Sequence, residues 1–331
     1  VQGGAAALPV DVHLVRTRAE LLAALKPHPR PRIVQVQGLI DLARSDDGRR
    51  LGEADFRDPA LDWAAFERAY DPATWGREPP KGPLEDARRR SAARQAAHVV
   101  VRVPSRTTLV GIGTGAGLTG GMLLLEGVED VIVRHLQLSD AYDHFPAWDP
   151  KDNPRGEWNS EYDNLSLRNA RRVWVDHCSF DDGQRPDRDE PVRLGRRLQK
   201  HDGLLDITRQ SDAVTVSWNH FRRHDKTSLV GGGDGSVADE GRLRVTYHHN
   251  HWEDVKERAP RVRYGRVHLY NNLYSVTDEA AHGYSIGVGL RSRIVAQNNV
   301  WVTPPGLPAG RLLRWWGGSA LADSGSLLNG Q

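Results

Sequence analysis

The sequence predicts an all-β chain wound as a solenoid, a parallel β-helix, and three observations carry that expectation. The composition, with 33 Gly, 19 Pro and 10 Trp in 331 residues, favours a turn-rich β protein over a helical bundle. From His98 onward, short β-branched runs alternate with Gly, Asn and Asp: VVVRVP, TLVGIG, VEDVIVRHLQL, RRVWVDHCSF, DAVTVSWNHF, GRLRVTYHHNHW, GRVHLYNNLY and SRIVAQNNVW. Four of these runs end in Asn, any residue, aromatic: Asn219 with Phe221, Asn250 with Trp252, Asn272 with Tyr274 and Asn299 with Trp301, at spacings of 31, 22 and 27 residues. Cys178 with Phe180 occupies the equivalent place 41 residues before Asn219. Recurrence of this kind marks stacked structural units. The shortest spacing is enough for one coil of short strands and bends, the longer ones are coils carrying loops, and stacked Asn side chains can bond along the axis. A β-sandwich also has short strands, but it predicts no recurrent Asn at a fixed point of each unit.

In chain order, Thr17 and Glu20 ahead of LLAAL have capping-box spacing and predict a short helix, which the prolines between Pro27 and Pro31 end. RIVQVQGLIDL then reads as a strand, so residues 1–40 form an N-terminal cap and first strand. Residues 41–96 are charged and Pro-rich with scattered aromatics (Trp63, Phe66, Tyr70, Trp75), an inserted excursion with helix around 84–96. Residues 97–303 are the coils, and 304–331 a C-terminal segment whose SGSLLNGQ reads as an unfinished β segment, consistent with truncation. All of 1–331 is expected to be a single domain.

The 45 basic and 43 acidic side chains nearly cancel, which argues against a protein whose function is written in net charge; any electrostatic function must be local. One cysteine excludes an intramolecular disulfide framework and a Cys-based zinc or iron–sulfur site, and leaves the redox compartment undecided. The longest apolar run, near Met122 to Leu125, is far short of a membrane span, so the chain reads as soluble. It begins VQGGAAALPV, without a leader-like segment or a Met, which leaves open both a processed secreted protein and a trimmed chain.

GIGTGAGLTGG holds a GxGxxG match at Gly115, Gly117 and Gly120, but the following GMLLLEGVEDVIV reads as strand. A dinucleotide site needs a helix to open there, so tight turns between coils are the better reading. His248, His249 and His251 invite a metal reading, yet in a strand only His249 and His251 share a face, and they read as stacking and hydrogen-bonding residues. Asp202 and Asp206 lie four apart and project to one side of an extended segment, with Asp176 one coil earlier. Three carboxylates from adjacent coils repel unless a hard cation lies among them, and oxygen-only ligation favours Ca²⁺ over zinc. Asp202 precedes Gly and equally fits a turn. Arg222, Arg223 and Lys226, then Arg258, Arg261 and Arg263, are either a solvated basic face, in a chain with only six lysines, or part of an anion site bridged by a metal.

Taken together, WVDHCSFDDG, HDGLLDITRQSDAVTVSWNHF, HDKTSLVG, LRVTYHHNHWEDVKERAPRVRYG and VHLYNNLY resemble the pectate lyases of polysaccharide lyase family 1. DPATWG, GPLEDARRRS, FPAWDP and EWNSEYDNLSL are similar to its secreted bacterial members, so the resemblance covers nearly the whole chain. It implies a right-handed parallel β-helix, calcium as cofactor, and β-elimination of α-1,4-polygalacturonate to 4,5-unsaturated oligogalacturonides. It also implies an extracellular, secreted monomer with no nucleic-acid or membrane partner. By matching motif, Asp176, Asp202 and Asp206 resemble the calcium ligands, and Lys226, Arg261 and Arg263 the substrate binders. Lys226 and Arg263 share the catalytic work with Arg258, first residue of the RxPxxR pattern, which resembles the base.

The chemistry fits these residue types. The proton to be removed is on C5 of a uronate, beside a carboxylate whose charge opposes carbanion formation, and cations near that carboxylate stabilise the developing enolate-like charge. A guanidinium base has to overcome a pKa above ~12. The rivals are a pectin lyase acting on methyl-esterified chains without calcium and a non-catalytic solenoid binding anionic polysaccharide or nucleic acid. The three Asp speak for an acidic substrate, and Arg258, Lys226 and Arg263 beside them speak for an enzyme.

Overall fold

The computed structural model describes residues 1–331 and winds them into a parallel β-helix with three limbs per coil. The first limb runs through Arg32–Asp41, Thr107–Thr119, Glu129–Arg134, Arg171–Asp176, Asp212–Ser217, Arg244–His248, Arg266–Tyr270, Arg293–Gln297 and Ala320–Ser324. The second runs through Gln137–Ser139, Ser179–Asp181, His220–Arg222, His251–Glu253, Leu273–Ser275, Val300–Val302 and Leu327–Leu328. The third is a separate eight-stranded sheet, from Val100–Arg102 and Met122–Glu126 through Leu165–Arg168, Leu205–Thr208, Leu229–Val230, Arg261–Val262 and Ile286–Gly289 to Leu313–Trp316. Alternate residues point inward, so Val173, Val175, Val214, Val216, Leu167 and Ile207 fill one continuous core while their neighbours face out.

The corner between the first and second limbs is where the Asn series lies. The residue before each ladder position has left-handed backbone: His135, His177, Trp218, His249, Asn271 and Asn298, with φ of 51–56°. Such backbone costs about 1–2 kcal/mol for a non-Gly residue. The ladder offsets it. Asn250 Oδ1 accepts from both the backbone N and Nδ2 of Asn219, each at 3.0 Å. Asn272 does the same for Asn250, and Asn299 for Asn272. Cys178 donates its backbone N–H to Asn219 Oδ1 at 2.9 Å and ends the series, because a thiol offers no amide oxygen to an earlier coil. Two residues further on, Phe180, Phe221, Trp252, Tyr274 and Trp301 stack inside the helix at 4.8, 4.3, 6.0 and 4.5 Å between ring centroids. The recurrence read from the sequence is therefore an axial ladder with an aromatic column beside it.

The capping box is present, with Thr17 accepting from Glu20 N ahead of the helix Arg18–Ala24, and RIVQVQGLID is a strand. Coils extend on both sides of 97–303: Val12–Val15 pairs with Arg32–Asp41, and 313–328 adds a further coil. The excursion carries four helices, Glu53–Phe56, Trp63–Ala69, Pro72–Trp75 and Pro83–Val99. Its Phe56, Phe66 and Tyr70 form a second small core with Phe145, Trp148 and Trp158, which explains aromatics that had no periodicity of their own. The glycine-rich stretch runs along the strand Thr107–Thr119 and ends in the bend at Gly120 and Gly121, and it opens no helix. A Cβ at Gly117 would sit 2.4 Å from Gln137 O, so glycine there lets two coils approach. No helix is long and apolar enough to cross a membrane.

Candidate active site

On the outer face of the eight-stranded sheet, register brings three carboxylates together. Leu165–Arg168 pairs in parallel with Leu205–Thr208, which sets Ser166 beside Asp206. Asp163 stands two residues before the first strand and Asp202 three before the second, so both enter from the same corner, one coil apart. Asp163 and Asp206 are buried. A Cβ on Gly203 would lie 2.7 Å from Oδ1 of each, so the missing side chain leaves a cradle between them. Asp163 Oδ1 accepts from Gly203 N at 2.9 Å and Asp206 Oδ1 from Leu229 N at 2.9 Å, which leaves one oxygen of each without a backbone donor. Burial first, then repulsion within the group, pushes Asp163 up to about 7 and Asp206 well above the ordinary carboxylate range. The three line one end of a groove of about 480 Å³ with Ser166, Arg168 and Thr208. An oxygen-only, over-charged and partly buried set of this kind suits a hard divalent cation such as calcium.

Asp176 is not part of this group, which corrects the sequence expectation. It ends the strand Arg171–Asp176 on the first limb, in register with Ser217 and Arg134. Its carboxylate is already satisfied by Ser217 Oγ at 2.7 Å, His177 Nδ1 at 2.8 Å and Arg134 at 3.2 Å. The carboxylate that completes the set is Asp163, in EYDNLSL. The signal that locates it is LSL, which matches LDI of the next coil position for position.

The basic residues arrange themselves around the acids. Lys226 Nζ is 2.7 Å from Asp202 Oδ1, in an ion pair whose lysine is nearly buried and whose aspartate is half-buried. Burial opposes its charge, but Asp202 outweighs that and holds the ammonium above its usual value. Arg258 has left-handed backbone, φ 61°, which bends the segment and points it into the acid group. Its Nε lies 3.3 Å from Glu257 Oε1 without a hydrogen bond to any group. Burial would lower its pKa, but Asp206, Glu257 and Asp202 together raise it. Arg261 lies on the same outward row of the sheet as Asp206 and sits 4.3 Å over the Trp316 ring, with its Nε likewise unpartnered. Arg263 Nε pairs with Asp234 at 2.7 Å. Arg222 and Arg223 point elsewhere, to Asp181 and Glu253.

Buried histidines behind the acids were not legible in the sequence. His224 bridges Asp182, at 2.7 Å, and the carbonyl of Asp202, at 2.6 Å, and so fixes the turn that presents Asp202. His201 bridges Asp187 and Asp140; burial alone would lower it, but the two carboxylates raise it to about 10.

Comparison with known proteins identifies the family. Residues 83–329 match the family model for pectate lyases. The chain is 42% identical over 334 residues to a pectate lyase of Bacillus subtilis (strain 168), covering 99% of this chain and 79% of that protein. It is 33% identical over 340 residues to pectate lyase D of Dickeya chrysanthemi, at 99% and 75% coverage. Among solved structures, a pectate lyase bound to a hexasaccharide superposes with a TM-score of 0.96 at 42% identity, covering 99% of this chain and 84% of that one.

Proposed function

The chain belongs to the pectate lyase family, and from that premise we propose that it cleaves polygalacturonate by β-elimination, with calcium held by Asp163, Asp202 and Asp206 and with Arg258 as the base. The observation that carries this reading is the partly buried, oxygen-only acid group around Gly203 with Lys226 and Arg258 turned onto it. When bound, calcium supplies positive charge beside the uronate carboxylate and neutralises the carboxylates that otherwise keep Arg258 protonated. Arg258, in its neutral form and with its Nε hydrogen-bonded to no group, takes the C5 proton. The C5–H electron pair forms the C4–C5 double bond, the C4–O bond breaks, and the leaving oxygen takes a proton from water. Lys226 and Arg263 hold substrate carboxylates as fixed point charges, and Arg261 extends the same basic row. For Lys226 this requires Asp202 to let go of the ammonium, so loading of the acid group and capture of substrate are coupled through one ion pair.

All of these residues come from one chain, so the proposed working unit is a monomer. A polymer substrate too large to enter a cell places the enzyme outside it, as a secreted protein. The test is ultraviolet absorbance of the unsaturated product from polygalacturonate, with chelator and after calcium is returned. Activity lost to the chelator and restored by calcium is expected. Full activity in excess chelator contradicts the calcium mechanism and favours the pectin lyase alternative.

A further inference from the structure

A second cluster with ligand chemistry lies on the outer face of the second limb. His220 and His251 are in register on adjacent parallel strands, His220–Arg222 and His251–Glu253. Glu253 follows His251 by two residues, with the inward Trp252 between them, so all three side chains leave the same face. One ligand atom from each lies within 4.8 Å of the others. The two imidazoles are stacked at 4.7 Å with planes 1° apart, and His220 Nε2 is already 2.7 Å from Glu253 Oε2. Three half-buried donors are thus pre-positioned by main-chain pairing, with Ser275 Oγ, 2.7 Å from His251 Nε2, at the edge.

We propose that His220, His251 and Glu253 form a site for a borderline transition-metal ion of the Zn²⁺ class, clamping two successive coils. Two imidazole nitrogens and one carboxylate, with the fourth position left to water, are a donor set that zinc accepts and calcium does not favour. Tetrahedral zinc with bonds of about 2.0–2.2 Å needs its donors roughly 3.3 Å apart, which small side-chain rotations supply from the present spacing. The one competing cation is Arg223, 3.4 Å from Glu253 Oε1 on an exposed side chain. The cluster of Asp11, His13 and His28 lacks this freedom, because Arg30 binds both oxygens of Asp11 at 2.7 and 2.8 Å. The site shares no residue with the acid group, so both ions can be held at once.

Zinc titration by calorimetry into the calcium-saturated protein is the test, with Co²⁺ absorption as a second readout of four-coordinate N/O ligation. We expect one zinc per chain, a higher thermal midpoint with zinc, and affinity at least about tenfold weaker in His251→Gln and in Glu253→Gln. His28→Gln should bind as the parent does. Circular dichroism confirms that the variants are folded, and two independent variants guard against one failing to fold. Absence of zinc binding, unchanged affinity in both site variants, or loss in His28→Gln overturns the proposal.

Discussion

The Asn corner and the acid-lined face are built from the same coils, yet they treat polar groups in opposite ways. At the corner each buried amide of Asn219, Asn250 and Asn272 bonds to the next coil and to a backbone carbonyl, Val175, Val216 or Tyr247. On the other face, like charges are packed at Asp163 and Asp206, and Arg258 Nε makes no hydrogen bond, with only the Glu257 carboxylate 3.3 Å away. The first arrangement repays left-handed backbone with hydrogen bonds. The second leaves electrostatic tension that only a cation and a substrate relieve, so stability and activity should respond separately to substitutions at the two places.

The sharpest separation is expected at Arg258. Arg258→Lys should reduce kcat by about 10²–10⁴-fold, the usual worth of a positioned base, with substrate and calcium affinity little changed. Steady-state kinetics alongside calcium titration check it, and a loss confined to affinity would make Arg258 a substrate binder. The next effect is on the metal-free protein. Because Asp163 has a raised pKa in the folded chain, the native state holds that proton more tightly than the unfolded one. Its penalty is absent below about pH 4, grows as pH rises to about 7, and persists above. Asp163→Asn should therefore stabilise the chelated protein at pH 8 by on the order of 3 kcal/mol, with no gain at pH 3.5, measured by denaturant unfolding. Equal stability at both pH values would show that the acid face stores no such tension.

A smaller effect is expected at the corner. Asn250→Ala strips partners from Asn219 and Asn272 and should cost about 2–3 kcal/mol of stability while leaving activity per folded molecule intact. Altered calcium affinity in that variant would show the two regions to be coupled. The smallest effect is at the N-terminal cap, where Thr17→Ala removes the bond to Glu20 N and should cost about 1 kcal/mol in thermal unfolding.

The same contrast explains what could be read from the sequence. The ladder was legible because its residues recur at one point of every coil, and Asn with an aromatic two residues on is a local pattern. Asp202 and Asp206 were legible because four residues of extended chain put them on one side. Asp176 was misplaced because an acid one coil earlier is not an acid on the same limb: Val175 and Asp176 belong to the strand that meets Val216 and Ser217, on another sheet. Asp163 belongs with Asp202 through pairing 40 residues apart, which composition does not reveal. The aromatics of 41–96 likewise find partners, Trp148 and Trp158, that no local pattern announces.

Calorimetric titration of calcium into the parent, Asp163→Asn and Asp176→Asn tests the central claim most directly. The arrangement around Gly203 predicts that Asp163→Asn weakens calcium binding by at least about 100-fold, while Asp176→Asn, folded by circular dichroism, binds as the parent does. Unchanged affinity in Asp163→Asn, or affinity lost in Asp176→Asn instead, would contradict it.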